Sequence, residues 1–198
     1  MPIGTPKVPV IRSEEKVFLT LSELFEEERI LFLCRNIEFT FMNELIALIL
    51  LMDLEDKSNI YIYINSQVGG VLSAMALYDT MQVSSSDVCT MNIGLVGSAA
   101  SLILVGGAIP KRVAFPHARV LIHQPSTGSF SGTTEKMQVE AEEMFELRNT
   151  IAEIYAQKTG QPINVIQNDL ERDTFMSATE AQDYGIIDHI VTNRYHVD

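Results

Sequence analysis

Basic residues are scarce in this sequence of 198 residues: 14 Lys and Arg stand against 26 Asp and Glu, a formal charge of −12. No Lys/Arg cluster interrupts the acidity, so a nucleic-acid-binding surface is excluded, and the excess charge reads as a solvated acidic exterior. Cysteine is nearly absent. Cys34 and Cys89 lie in apolar runs without metal-ligand or disulfide-framework spacing and are expected to be buried free thiols in a reducing compartment. The first residues, MPIGTP, form neither an apolar signal core nor an Arg/Ser-rich amphipathic pattern, and no targeting segment is expected. Residues 88–110 carry no charge, but Asn92, Ser98, Ser101 and scattered glycines break any uniform apolar face. That stretch reads as a buried strand followed by a buried helix, not a membrane span. No G-x-x-x-x-G-K-[ST] phosphate loop is present, and no repeat, low-complexity tract or linker divides the chain.

A hydrophobic content of 46% is enough for one sizeable core, so residues 1–198 are expected to form a single domain. Residues 1–15, with prolines at 2, 6 and 9, read as an irregular arm. Helical patterns follow at 21–29, 43–54, 71–82 and 98–105, and strand patterns at 30–34, 59–65, 88–93, 119–122 and 186–191. Strands separated by helices of these lengths imply crossover connections and an α/β class. The longest helix spans about 133–158: Met137, Ala141, Met144, Ile151 and Tyr155 recur at three- and four-residue steps, and Gly160 and Pro162 stop it. At 1.5 Å per residue it is about 39 Å long. Such a helix either lies across its own sheet or projects and buries its apolar stripe on a partner. Ser177 and Glu180 make a capping box for a last helix closed by Gly185.

Three polar residues sit where chemistry is possible. Ser98 follows Gly97 and opens an apolar helix, where free amides, that of Ala99 among them, could receive an oxyanion. The glycine elbow G-x-S-x-G is missing, since Val96 and Ala100 fill its glycine positions, and a serine there serves equally as a helix cap. His123 ends a strand and could be structural. Asp173 could be a surface carboxylate. No local rule ties the three together, and composition and spacing alone give a soluble α/β domain and no more.

The motifs do more. ERILFL at 28–33, YIYINS at 61–66, YDTMQ at 78–82, LIHQP at 121–125, ERD at 171–173, SATEA at 177–181 and YGIID at 184–188 stand in the order of the ClpP peptidase family, which the chain resembles along nearly its whole length. MPIG at 1–4 and FPHAR at 115–119 look like its plastid-encoded branch. The resemblance implies a crotonase-like spiral of β-β-α units with the long helix as a protruding handle. It implies a Ser–His–Asp triad on Ser98, His123 and Asp173. Ungapped alignment from LILVGG at 102–107 puts Ser98 on the nucleophile, whereas Ser101 would require a three-residue deletion in a buried helix. Arg172 matches a residue that couples contact between rings to alignment of the triad.

Two departures from the family pattern bear on the oxyanion hole. Ala99-Ala100 follow the nucleophile in place of Met-Gly, leaving the amide of Ala99 available. NSQVGG at 65–70 replaces Asn-Ser-Pro-Gly-Gly. Ungapped counting puts Val68 on the first glycine, where a positive φ would strain a β-branched residue; a one-residue bulge would instead return Gly69-Gly70 to the glycine positions. Both registers remain open.

The resemblance further implies a tetradecameric double ring, with paralogues lacking the triad among its subunits. Unfolded polypeptide would enter its chamber from a hexameric AAA+ chaperone, which consumes the ATP, so this chain needs no cofactor. Substrate would lie as an added strand along 67–71 and 124–127. The implied location is the chloroplast stroma, with bacterial cytoplasm as the alternative. Two rivals to a catalytic subunit are a structural ring subunit of the same fold and a crotonase-type acyl-CoA enzyme, the latter having no need of Ser98, His123 and Asp173 together.

Overall fold

The computed structural model describes residues 7–12, 15–126 and 131–191. Its first element corrects the expected irregular arm. Strands β1 (Lys7–Arg12) and β2 (Glu15–Thr20) pair antiparallel, with Val8 opposite Leu19 and Val10 opposite Val17. Alternating β-branched residues outweigh Pro9, which a two-stranded ribbon tolerates because each strand has a free edge. Residues 1–6 of that arm lie outside the described residues. Thr20 caps helix α1 (Leu21–Glu27) through a capping box with Glu23.

The core is built around a five-stranded parallel sheet. In sheet order it comprises β10 (His189–Ile190), β7 (Arg112–Ala114), β5 (Val88–Asn92), β4 (Ile60–Ile64) and β3 (Ile30–Leu33). On β4 the period-two alternation is explicit: Ile60, Ile62 and Ile64 are fully buried, while Tyr61 faces outward. Helices α2 (Phe39–Glu55) and α3 (Val71–Val83) bury the stripes Met42, Leu45, Ile49, Met52 and Ala74, Leu77, Tyr78, Met81.

A second sheet holds β6 (Leu95–Gly97) parallel to β8 (Arg119–Ile122), which pairs antiparallel with β9 (Thr174–Ser177). Between the two sheets runs α4 (Ala99–Val105), all seven of its residues buried. A helix apolar on every face but for Ser101 is stable only when surrounded. The chain passes from β5 in one sheet to β6 in the other, through α4, then back to β7 and across to β8. This is the expected β-β-α winding of an α/β fold.

Helix α5 (Thr134–Thr159) projects as expected. Its buried residues are Ile151, Ala152 and Tyr155 near the C-terminal end, whereas Met137, Val139 and Phe145 are exposed. Gly160 terminates it in the left-handed region (φ 76°), where an L side chain is disfavoured. Helix α6 (Ile163–Leu170) and strands β6 and β7 were not legible as separate elements. The capping box of α7 (Ala178–Tyr184) was.

Two further expectations are corrected. The last strand is only His189–Ile190, because Ile186 and Ile187 fill the core from a turn. Cys34 is exposed: β3 ends at Leu33 on the sheet edge, and the inward positions belong to Leu31 and Leu33. Cys89 is buried as expected, and burial pushes its thiol up to about 11.

Candidate active site

Register brings the three polar residues to one end of the three-stranded sheet. Gly97 pairs with Leu121 on β8, and the Ser98 amide donates to the Leu121 carbonyl at 3.1 Å. On the other side of β8, Ile122 pairs with Thr174. Ser98 therefore leaves β6, His123 leaves β8 and Asp173 enters β9 at the same end of the sheet.

Ser98 has φ 55° and ψ −129°. Among the described residues only Arg29 is another non-glycine with positive φ. Such a conformation costs about 1–3 kcal/mol and persists only where surrounding structure enforces it. It makes the sharp strand-to-helix turn that an exposed nucleophile requires, without the glycines of the usual elbow. The Ser98 side chain does not cap α4. Ser98 and His123 line one small cleft with Val71, Leu102, Pro125 and Tyr155. Ser101 is fully buried, its hydroxyl bonded to the Ser98 carbonyl (2.6 Å) and the Tyr155 phenol (2.7 Å).

His123 Nδ1 lies 2.7 Å from the Gln124 carbonyl. A carbonyl only accepts, so Nδ1 carries a proton, and in the neutral ring Nε2 then keeps the lone pair, the tautomer a general base needs. Among the described residues, no hydrogen bond joins His123 to Ser98 or to Asp173, and Asp173 and Arg172 are exposed. Helix α5 reaches the loop before β9 through the Arg148–Glu171 ion pair (3.2 Å), and the Gln124 amide donates to Leu170.

Beside this end of the sheet, the Gly97 amide donates to the Ser66 carbonyl (2.9 Å), the Ile37 amide to the Val68 carbonyl (3.0 Å) and the Gly70 amide to the Ile37 carbonyl (3.1 Å). Residues 66–70 thus run as an extended segment bridged to Ile37. Val68 is exposed and does not have a positive φ, so valine is unstrained there. The glycine requirement falls on Gly69 for a different reason: a Cβ there would sit 2.0 Å from that of Ile37. Within the described residues, the amides of Val68, Gly69 and Ala99 donate to no protein acceptor. Among the described residues, no cluster of three or more His, Cys, Asp or Glu side chains is arranged to hold a metal ion, and no helix is long and apolar enough to cross a membrane.

Sequence reasoning missed the roles of Gln124, Ser101 and Tyr155. Tyr155 was visible only as one member of the apolar stripe of α5, which gives no sign of what its hydroxyl meets.

Comparison with known proteins matches the Clp protease family model to residues 12–194. The chain belongs to the Clp protease family. It is 50% identical over 192 residues to the chloroplastic ATP-dependent Clp protease proteolytic subunit 1 of Arabidopsis thaliana, covering 95% of this chain and 97% of the relative. Proteins described as ATP-dependent Clp protease proteolytic subunit from Arabis hirsuta and Lepidium virginicum are each 48% identical with the same coverage. This Clp family chain carries the expected enzyme class, a serine-type endopeptidase, and its relatives point to the plastid branch.

Proposed function

We propose that the chain is a catalytic subunit of the chloroplast-stromal Clp protease, cleaving unfolded polypeptide through Ser98, His123 and Asp173. The strained backbone of Ser98, holding an uncapped hydroxyl in the same cleft as His123, is the observation that carries this reading.

His123 Nε2 takes the Ser98 proton as Oγ attacks the scissile carbonyl, then returns it to the leaving amine. Water repeats the sequence on the acyl-enzyme. Asp173 supports the imidazolium once Nδ1–H turns from the Gln124 carbonyl to its carboxylate. The amides of Ala99 and of Val68 or Gly69 receive the oxyanion. Arg172, exposed beside Asp173, couples ring-to-ring contact to that turn. The substrate strand lies along 67–71 and 124–126; residue 127 is outside the described residues.

Clp proteolytic subunits form rings and work with an ATPase. Here the ring is a double heptamer, mixed with paralogues lacking the triad and enclosing the sites, with the exposed end of α5 between rings. A hexameric AAA+ chaperone feeds it and consumes the ATP, and this chain uses no cofactor.

A second reading, a structural ring subunit, is favoured by the hydrogen bond of His123 Nδ1 to the Gln124 carbonyl in place of one to Asp173. A fluorophosphonate probe applied to the assembled particle distinguishes the two. Labelling at Ser98 that is abolished by Ser98→Ala and kept by Ser101→Ala supports the catalytic subunit. A silent, fully assembled ring supports the scaffold.

A further inference from the structure

Ser98 holds a costly conformation, and among the described residues its own side chain makes no hydrogen bond that would keep it there. What holds it lies one helical turn on. The Ser98 carbonyl accepts from the Ser101 amide at 3.0 Å and from the Ser101 hydroxyl at 2.6 Å. Ser101 has a single hydroxyl proton, and the carbonyl can only accept, so that proton goes to Ser98. The Tyr155 phenol, 2.7 Å from Ser101 Oγ, must therefore donate to it. The chain of donors has one direction: Tyr155 O–H to Ser101 O–H to Ser98 C=O. Ser101 is fully buried and Tyr155 is 2% exposed, so water does not compete for these groups.

We propose that Tyr155 and Ser101 are positioning residues for the reaction, holding the peptide plane between Ser98 and Ala99. That plane carries the Ser98 carbonyl on one side and the Ala99 amide on the other. Fixing the carbonyl with two donors therefore fixes both the turn that presents the nucleophile and the direction of the Ala99 N–H toward a developing oxyanion. Tyr155 stands on the buried turn of α5, with Ile151 and Ala152, so the base of the projecting helix is bonded into the backbone of the site. Burial pushes the Tyr155 phenol well above its ordinary range, which keeps it a donor at every working pH. The inference rests on the reading of Ser98 as nucleophile.

The test is a double-mutant cycle with Ser101→Ala and Tyr155→Phe in the assembled particle. It uses a short fluorogenic peptide and the rate of fluorophosphonate labelling at Ser98. Ser101→Ala lowers kcat about tenfold with KM unchanged and slows labelling in proportion, as loss of a buried hydrogen bond aimed at the transition state requires. Tyr155→Phe, which keeps the ring packing, lowers kcat about threefold. Because Tyr155 acts only through Ser101, the double variant is no slower than Ser101→Ala alone. Wild-type rates in Ser101→Ala overturn the proposal, as does a double variant slowed by the product of the single effects. Should Ser101→Ala fail to assemble, Tyr155→Phe decides: slowed labelling supports the proposal and an unchanged rate overturns it. A wild-type particle that is not labelled at Ser98 overturns the nucleophile reading itself, an outcome distinct from unchanged labelling in the variants.

Discussion

Ile122 and Thr174 face each other across the antiparallel pair of β8 and β9. One step outward on each strand stand His123 and Asp173, and the same strand β8 receives the Ser98 amide on its other side. Three residues far apart in the chain thus share one end of a sheet through backbone register alone, before any side chain interacts.

Asp173→Asn tests whether the pair suggested by that register operates. Replacing the carboxylate with an amide keeps its shape but removes the charge that supports an imidazolium. Peptide hydrolysis by the assembled particle should fall by roughly 10⁴ in kcat, with subunit stoichiometry by native mass spectrometry unchanged. A loss smaller than tenfold would remove Asp173 from the mechanism.

Adjacent glycines should respond differently. Gly69→Ala pushes a Cβ to 2.0 Å from Ile37 Cβ and 2.7 Å from its Cα, so backbone must move and the 37–69 bridge opens. Gly70→Ala meets only Ser73, at 3.5 Å from Oγ and 3.9 Å from Cβ, ordinary contacts. The first variant should lose about 1–3 kcal/mol in urea unfolding together with most peptide hydrolysis, and the second little of either. Equal behaviour of the two would contradict the close approach.

The Arg112–Asp188 pair ties the last strand to the core. Both Asp188 oxygens are engaged by the guanidinium, at 2.6 and 3.0 Å, with side-chain exposures of 4% and 12%. A third bond reaches the Lys158 carbonyl at the end of α5. Asp188→Asn leaves a buried cation without its counter-charge and should cost about 3–5 kcal/mol, measured as a shift in urea midpoint at fixed protein concentration.

Asp53 provides a pH signature. The Ser86 hydroxyl and amide both donate to it, holding its carboxyl well below the usual range. A depressed folded-state value contributes stability that is complete above the unfolded value, about 3.9, and is lost as pH falls toward the folded one. The stability gap between the native protein and Asp53→Asn should therefore be constant from pH 7 to about 5 and narrow below about 4. A gap that widens in acid would reverse the sign and refute the assignment.

Much of this fold was legible because local patterns agreed with it. Alternation in β4, the stripes of α2 and α3, the capping box at Ser177–Glu180 and the length of α5 depend on neighbours in sequence. Where three-residue strands such as β6 and β7 carry too little pattern, or where Ile186 and Ile187 are apolar without being extended, the sequence reading failed. Cys34 failed for a related reason: apolar neighbours indicate a strand but not that the strand lies at a sheet edge.

By itself, then, the sequence determined the class of fold and the length of its longest helix, because residue type and spacing within one element are local properties, whereas the projection of that helix and the candidate triad were implied only by the resemblance of its ordered motifs to a family. Only the tertiary structure decided that Ser98 turns through a left-handed backbone, that Val68 is unstrained while Gly69 is sterically required, and that Tyr155 reaches Ser101. Each of these is set by pairing between strands and helices remote in the chain, and a linear pattern carries no information about which buried donor will meet which carbonyl.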